Sequence, residues 1–233
     1  MEPLIVVGIL LVAAVAFGAW YYAHKRRQEF AAFAAQHGLG YAADDPFDML
    51  GLPFALFRKG DGRGIDNVLW GPWRGEPIRA FDYWYYDEST DSGGGRSRTY
   101  HRHTCVLLEH EGVFPPLAIT RESVFTRIAD GLGFRDIELE SEEFNRAFQV
   151  KAKDRRFAVA FLDARMMRWL LALPRRWEFE VAGAHLLAWE GKRMAPAGFA
   201  PVIEMALAFR ENVPRAASSM YGPGSERGEE QRT

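Results

Sequence analysis

Residues 3–23 carry no charged side chain, and that run constrains the protein more than anything after it. As an α-helix rising 1.5 Å per residue it is about 30 Å long, the hydrocarbon thickness of a bilayer. A secretory leader needs a basic start. Only acidic Glu2 precedes the run, although Ala14-Val15-Ala16 has the small side chains of a cleavage site. A core helix of a soluble protein is seldom free of charge for so long. The run therefore reads as a transmembrane anchor over residues 1–24. Trp20, Tyr21 and Tyr22 supply an interfacial aromatic belt, and Lys25, Arg26 and Arg27 supply the positive flank that stays inside. The N-terminus is expected outside the cell membrane and the remainder of this single-pass chain in the cytoplasm.

Helical spacing continues through Phe30, Phe33 and Ala34 to a stop at Gly38, so a juxtamembrane helix over residues 25–38 should carry the anchor onward. The chain has 233 residues and 48% hydrophobic content, enough for one sizeable core. Residues 39–213 read as one cytoplasmic α+β domain, a mostly antiparallel sheet with short packing helices. Strand patterns fall at 54–58, 67–73, 78–86 and 100–108, joined by connections at 60–64, 74–76 and 91–96 that are too short for crossover helices. A strand at 117–120, a short helix begun by Ser123, a strand at 137–140 and a helix begun by Ser141 follow. Then come a hairpin of 148–152 with 157–161, a helix over 163–173 and a hairpin turning at Gly183 between 177–181 and 185–189. The last expected element is a helix over 201–212, and the Pro, Gly, Ser and charged composition of 214–233 predicts a disordered tail.

Four segments carry a likeness: Asn67-Val68-Leu69-Trp70-Gly71, Ala80-Phe81-Asp82-Tyr83-Trp84-Tyr85, the acidic stretch from Asp136 through Glu143 to Arg146, and Arg165-Met166-Met167. Through them the chain resembles an uncharacterised family of single-pass membrane-anchored proteins of high-GC Gram-positive bacteria. The resemblance spans residues 38–189. It implies architecture, and it implies no activity, substrate or catalytic residue.

Lys and Arg number 29 against 31 for Asp and Glu, a formal charge of -2 that offers nucleic acid no electrostatic footing. Cys105 is the sole cysteine, which excludes an intramolecular disulfide and the multi-cysteine zinc pattern. No Gly-x-Ser-x-Gly elbow, His-Glu-x-x-His motif or dinucleotide fingerprint occurs. The sharpest constellation is His101, His103 and Cys105. A strand projects all three from one face, and all three ligate zinc or copper; the apolar run that Cys105 begins points instead to a strand entering the core. Asp82 lies among aromatics, where a carboxylate acts as a general acid, caps a turn, pairs with an arginine or accepts hydrogen bonds from tyrosines, and Tyr83 with Tyr85 offers a docking face if the face they share is exposed. Glu138, Glu140, Glu142 and Glu143 have the oxygen chemistry of a divalent-cation site without its spacing, and read as a solvated edge. Lys151, Lys153, Arg155 and Arg156 form a basic hairpin tip suited to anionic headgroups or to solvent.

These features favour a non-enzymatic, membrane-tethered cytoplasmic module that binds a protein or lipid partner, with no cofactor and no nucleic acid. The alternative is a metal-binding or hydrolytic enzyme centred on the His101, His103 and Cys105 strand.

Overall fold

A single unbroken helix, α1 (Glu2–His37), takes up both predicted helical segments. The structure is a computed structural model that describes residues 2–91, 94–121, 133–174 and 177–221. In the first half of α1, Ile5, Ile9, Leu10, Val12, Phe17 and Tyr22 all stand exposed, and the helix is long and apolar enough to cross a membrane. In the second half, Phe30, Phe33 and Ala34 are buried in the core. Gly38 ends the helix at φ 67°, the left-handed conformation glycine adopts without strain. The Leu39 amide then donates to Ala34 O at 2.8 Å and the Gly38 amide to Ala35 O at 3.4 Å, which is a Schellman cap.

The sheet holds seven strands among the described residues, every pairing antiparallel: β1 (Gly40–Asp44), β2 (Gly62–Trp73), β3 (Glu76–Thr90), β4 (Arg96–Thr120), β5 (Arg135–Asp136), β6 (Gln149–Ala152) and β7 (Trp177–Glu190). Spatial order is β1-β2-β3-β4-β6-β5, with β7 pairing β4. Arg74 and Gly75 connect β2 to β3, both with positive φ (52° and 86°), as a two-residue hairpin turn with the twist of its strands requires. Short helices α2 (Glu142–Ala147), α3 (Arg155–Phe161), α4 (Ala164–Ala172), α5 (Phe199–Asn212) and α6 (Arg215–Tyr221) complete the fold. Ser141 and Asp163 cap α2 and α4 as expected, through the amides of Phe144 and Met166.

Several expectations are corrected. Residues 54–58 form no strand: Phe54, Ala55, Leu56 and Phe57 are all buried, so the segment has no solvent face and closes as a loop with one tight helical turn. Glu180 holds that loop, accepting the Ala55 and Leu56 amides at 2.7 and 2.9 Å. Residues 117–120 are the end of β4, not a separate strand. Beyond β5, residues 137–140 are irregular because the Asn145 side chain binds both the amide and the carbonyl of Leu139. Residues 157–161 are helical: Asp154 accepts the Arg156 and Phe157 amides, and Phe157 and Phe161 fall on one buried face. Gly183, at φ 57° opposite Phe114, marks an irregularity inside continuous β7 instead of a turn. In the stretch where composition predicts disorder, α6 forms, burying Ala217 and setting the Tyr221 ring 5.1 Å from Phe157. The helix expected at Ser123 lies outside the described residues.

Two apolar layers flank the sheet. On one face α1 and α3 to α5 pack, with Phe30 edge-on to Phe199 at 5.0 Å. On the other, the 49–57 loop covers Phe81, Tyr83, Cys105, Leu187 and Trp189.

Candidate functional site

Strands β3 and β4 pair without a break from Ile78 opposite Leu108 to Thr90 opposite Arg96. Side chains alternate between faces, so this hairpin presents two chemistries, one on the loop side and one on the α1 side.

Phe81, Tyr83, Tyr85, His101, His103 and Cys105 share the loop side. The three sequence-picked ligands do lie on one face, yet in different surroundings. Cys105 is fully buried beside Phe81, and burial pushes its thiol well above the usual range. His103 lies between the rings of Tyr83 and Tyr85, at 5.9 and 5.7 Å. Burial lowers its pKa to about 3, with Lys59 and His101 adding to the effect, so the ring is neutral near pH 7. Neither His103 ring nitrogen has a hydrogen-bond partner among the described residues. His101 stacks on Tyr85 at 4.6 Å and sets Nε2 3.1 Å from Asp87 Oδ2. His101 and His103 line a cleft of about 530 Å³ with Lys59, Glu190 and Lys192, and Cys105 takes no part in its wall. Among the described residues no three His, Cys, Asp or Glu side chains are grouped to hold a metal ion.

On the α1 side, Asp82 is 3% exposed and held by two guanidiniums. Arg26 Nη2 donates to Oδ1 and Oδ2 at 2.9 and 2.8 Å and Nε to Oδ2 at 3.2 Å; Arg193 Nε donates to Oδ2 at 3.2 Å. Asn67 Nδ2 adds a bond at 2.9 Å and is itself oriented by the Tyr41 hydroxyl at 3.0 Å. Asn67 stands at φ 52°, where β2 slips register between Asp66 and Leu69, a conformation asparagine tolerates better than most residues. Arg26 also donates to Met194 O at 2.7 Å and lies over the Phe30 ring. A carboxylate so enclosed by fixed cations serves as a structural anchor. Of the readings the sequence offers for it, the arginine pair is the one observed. The identity of the arginine was missed, because Arg26 carries the pattern of a membrane flank and nothing in its spacing points to a partner 56 residues away.

Past Asp82 this face becomes aromatic. The Trp84 ring lies over Gly64 and the Tyr86 ring over Gly62, where an added Cβ would come within 2.6 and 2.4 Å of ring atoms. Those glycines read as a turn in the sequence; they are strand residues whose bare backbone lets the rings lie flat. Trp84 stacks on Tyr86 at 6.3 Å, Tyr86 meets Tyr100 at 5.4 Å, and Arg98 and Arg102 lie over Tyr86 and Tyr100 at 4.5 and 5.1 Å. Tyr83 and Tyr85 face inward and are buried, so the condition for a docking face at these two rings is not met. A recess of about 260 Å³ opens here between Asp66, Trp84, Arg102 and Arg193. Burial raises the Asp66 carboxyl above its usual range, against the opposing effect of Arg193.

The charged runs resolve as ordinary structure. Glu142 pairs with Arg146 on the surface at 2.7 Å. Lys151 is 1% exposed within β6, and Arg155 opens α3, so no basic hairpin tip exists.

No protein-family model and no curated protein matches the sequence. Among solved structures the chain is similar to the mycobacterial trehalose monomycolate transport factor A, TtfA, with a TM-score of 0.55 at 15% identity, covering 80% of this chain and 93% of that one. The likeness is one of fold. It lies in a high-GC Gram-positive protein, the group to which the sequence resemblance points.

Proposed function

We propose that the protein is a single-pass membrane protein whose α+β module stands at the cytoplasmic face, fixed in height and orientation against the bilayer, and there binds a protein or lipid partner. One observation carries this reading: α1 passes without interruption from an exposed apolar half into the core of the module, where Arg26 grips Asp82. A flexible linker would serve a tether alone. A continuous helix clamped at the boundary serves a module whose position matters. Lys25 and Arg27, still beside the apolar run, support the inward orientation, and the fold shared with a trehalose monomycolate transport factor agrees with a module that binds a protein or lipid partner. Two measurements test it. A reporter fused after Thr233 should be active only inside the cell, and cross-linking of intact membranes should recover the same partner repeatedly. Activity outside alone, or no consistent partner, would contradict it.

A second reading has its own observation, the unpartnered His103 nitrogens beside a cleft with both acidic and basic groups. It makes the cleft a ligand or metal site, with hydrolytic chemistry as its extension. Stoichiometric zinc or copper in the purified chain, lost in H101A/H103A, would favour it over the module reading.

A further inference from the structure

The contacts of α1 follow β3 in order. The His37 and Phe33 rings lie 4.9 and 6.4 Å from Trp73, which pairs with Glu76 at the start of β3. Phe30 stacks on Tyr41, and Tyr41 leads across the sheet through Leu69 to Ala80. Arg26 reaches Asp82. Each step toward the N-terminus of α1 is thus a step forward along β3, and the strand advances toward the end of the helix that enters the apolar run. Arg26 follows that run directly, so Asp82 sits at headgroup level with it. From Asp82, β3 continues to Thr90 before β4 returns from Arg96. At ~3.3 Å per residue that is a further length of roughly 26 Å, several times the thickness of one headgroup layer, ~5–8 Å.

A straight continuation would drive Asp87, Glu88, Asp91, Arg96 and Arg98 into hydrocarbon, where even paired charges such as Glu88 with Arg98 carry a desolvation cost of several kcal/mol per ion. The hairpin must instead turn along the bilayer surface. A turn toward α1 collides with the helix, so it turns away, and the face it shares with α1 becomes the face against the lipid. That face carries Trp84, Tyr86 and Tyr100 with Arg96, Arg98 and Arg102; Glu88 on the same face pairs with Arg98 at 2.7 Å, which leaves an excess of positive charge. Flat amphipathic rings are the side chains that settle at a membrane interface, and guanidiniums bind phosphate oxygens in a fork. We infer that the distal β3–β4 hairpin lies on the inner leaflet through this aromatic and arginine face and takes anionic phospholipid headgroups. The loop-side cleft lined by His101 and His103 consequently faces away from the membrane, toward a partner.

This rests on the anchor reading of α1, and the experiment separates the two. The full chain carries one introduced cysteine, E88C on the lipid face near the tip or V113C on the distant part of β4, where Val113 is 68% exposed. Cys105, at 0% exposure, stays unlabelled in the folded protein. Each variant bears an environment-sensitive fluorophore and is reconstituted in phosphatidylcholine and phosphatidylglycerol vesicles containing headgroup spin-labelled lipid. The label at position 88 should be quenched several-fold more than that at 113, and R98E/R102E should bring the two together. Equal quenching at 88 and 113 in protein that still floats with the vesicles overturns the hairpin inference and leaves the anchor standing. Protein that fails to float overturns the anchor reading itself.

Discussion

From Ile5 to Tyr22, α1 exposes apolar side chains around its whole circumference, whereas from Arg26 to Ala34 the same helix buries a narrow stripe of Phe30, Phe33 and Ala34. No backbone feature separates the halves; only the side chains change. An all-round apolar surface is stable only in a medium that is apolar on every side, and a stripe at i, i+3 and i+4 needs a protein surface on one side and water on the other. Arg26 marks the change, with a charge suited to the headgroup side and a fork that closes on Asp82.

The comparison breaks most visibly by truncation. A chain lacking residues 2–24 should remain folded, while one lacking residues 2–37 should lose cooperative thermal unfolding, since Phe30, Phe33 and Ala34 leave with it. Circular dichroism melts of the two distinguish them; equal melts would deny the second half its place in the core. Next in size, Phe30→Ala removes a fully buried ring packed on Tyr41 and Phe199, and a denaturant titration should show a loss of about 3–5 kcal/mol. Arg26→Ala should cost about 3 kcal/mol, at the low end for breaking a buried pair because Arg193 and Asn67 still hold Asp82.

A pH titration asks whether the opposite face of the sheet behaves independently of α1. Burial pushes the Glu180 carboxyl up to about 8 from an ordinary 4.5, although the Ala55 and Leu56 amides pull it down. The folded state therefore keeps a proton that the unfolded chain releases between those values, so stability should fall as pH rises through that window. Glu180→Gln should flatten the fall with Arg26 either present or removed. At the small end, Leu10→Ala should leave the module within about 0.5 kcal/mol of its parent in detergent, because Leu10 touches no part of it. A clear destabilisation would mean that the exposed half packs on protein.

The sequence made the long apolar helix, the antiparallel sheet and the caps at Ser141 and Asp163 legible because each is a local signal: a charge-free run, short connections, a polar residue ahead of an amphipathic turn. It misled wherever a distant group decided the outcome. Residues 54–57 look like a strand until Glu180 supplies their amides with partners, and Gly62 and Gly64 look like a turn until Trp84 and Tyr86 cover them. The site followed the same division. Alternation correctly put His101, His103 and Cys105 on one face, but could not say that Cys105 is sealed in the core while His103 borders a cleft. Asp82 stood out by its aromatic neighbours, and its partner on α1 was visible only in three dimensions.

The central claim is that membrane helix and module form one rigid element joined at Arg26. Amide hydrogen exchange of the vesicle-reconstituted full chain tests it at residues 25–37. Protection as slow as that of the Cys105–Leu108 core of β4 is the predicted result, and exchange within seconds at residues 25–28 would contradict it by placing a hinge between membrane and module.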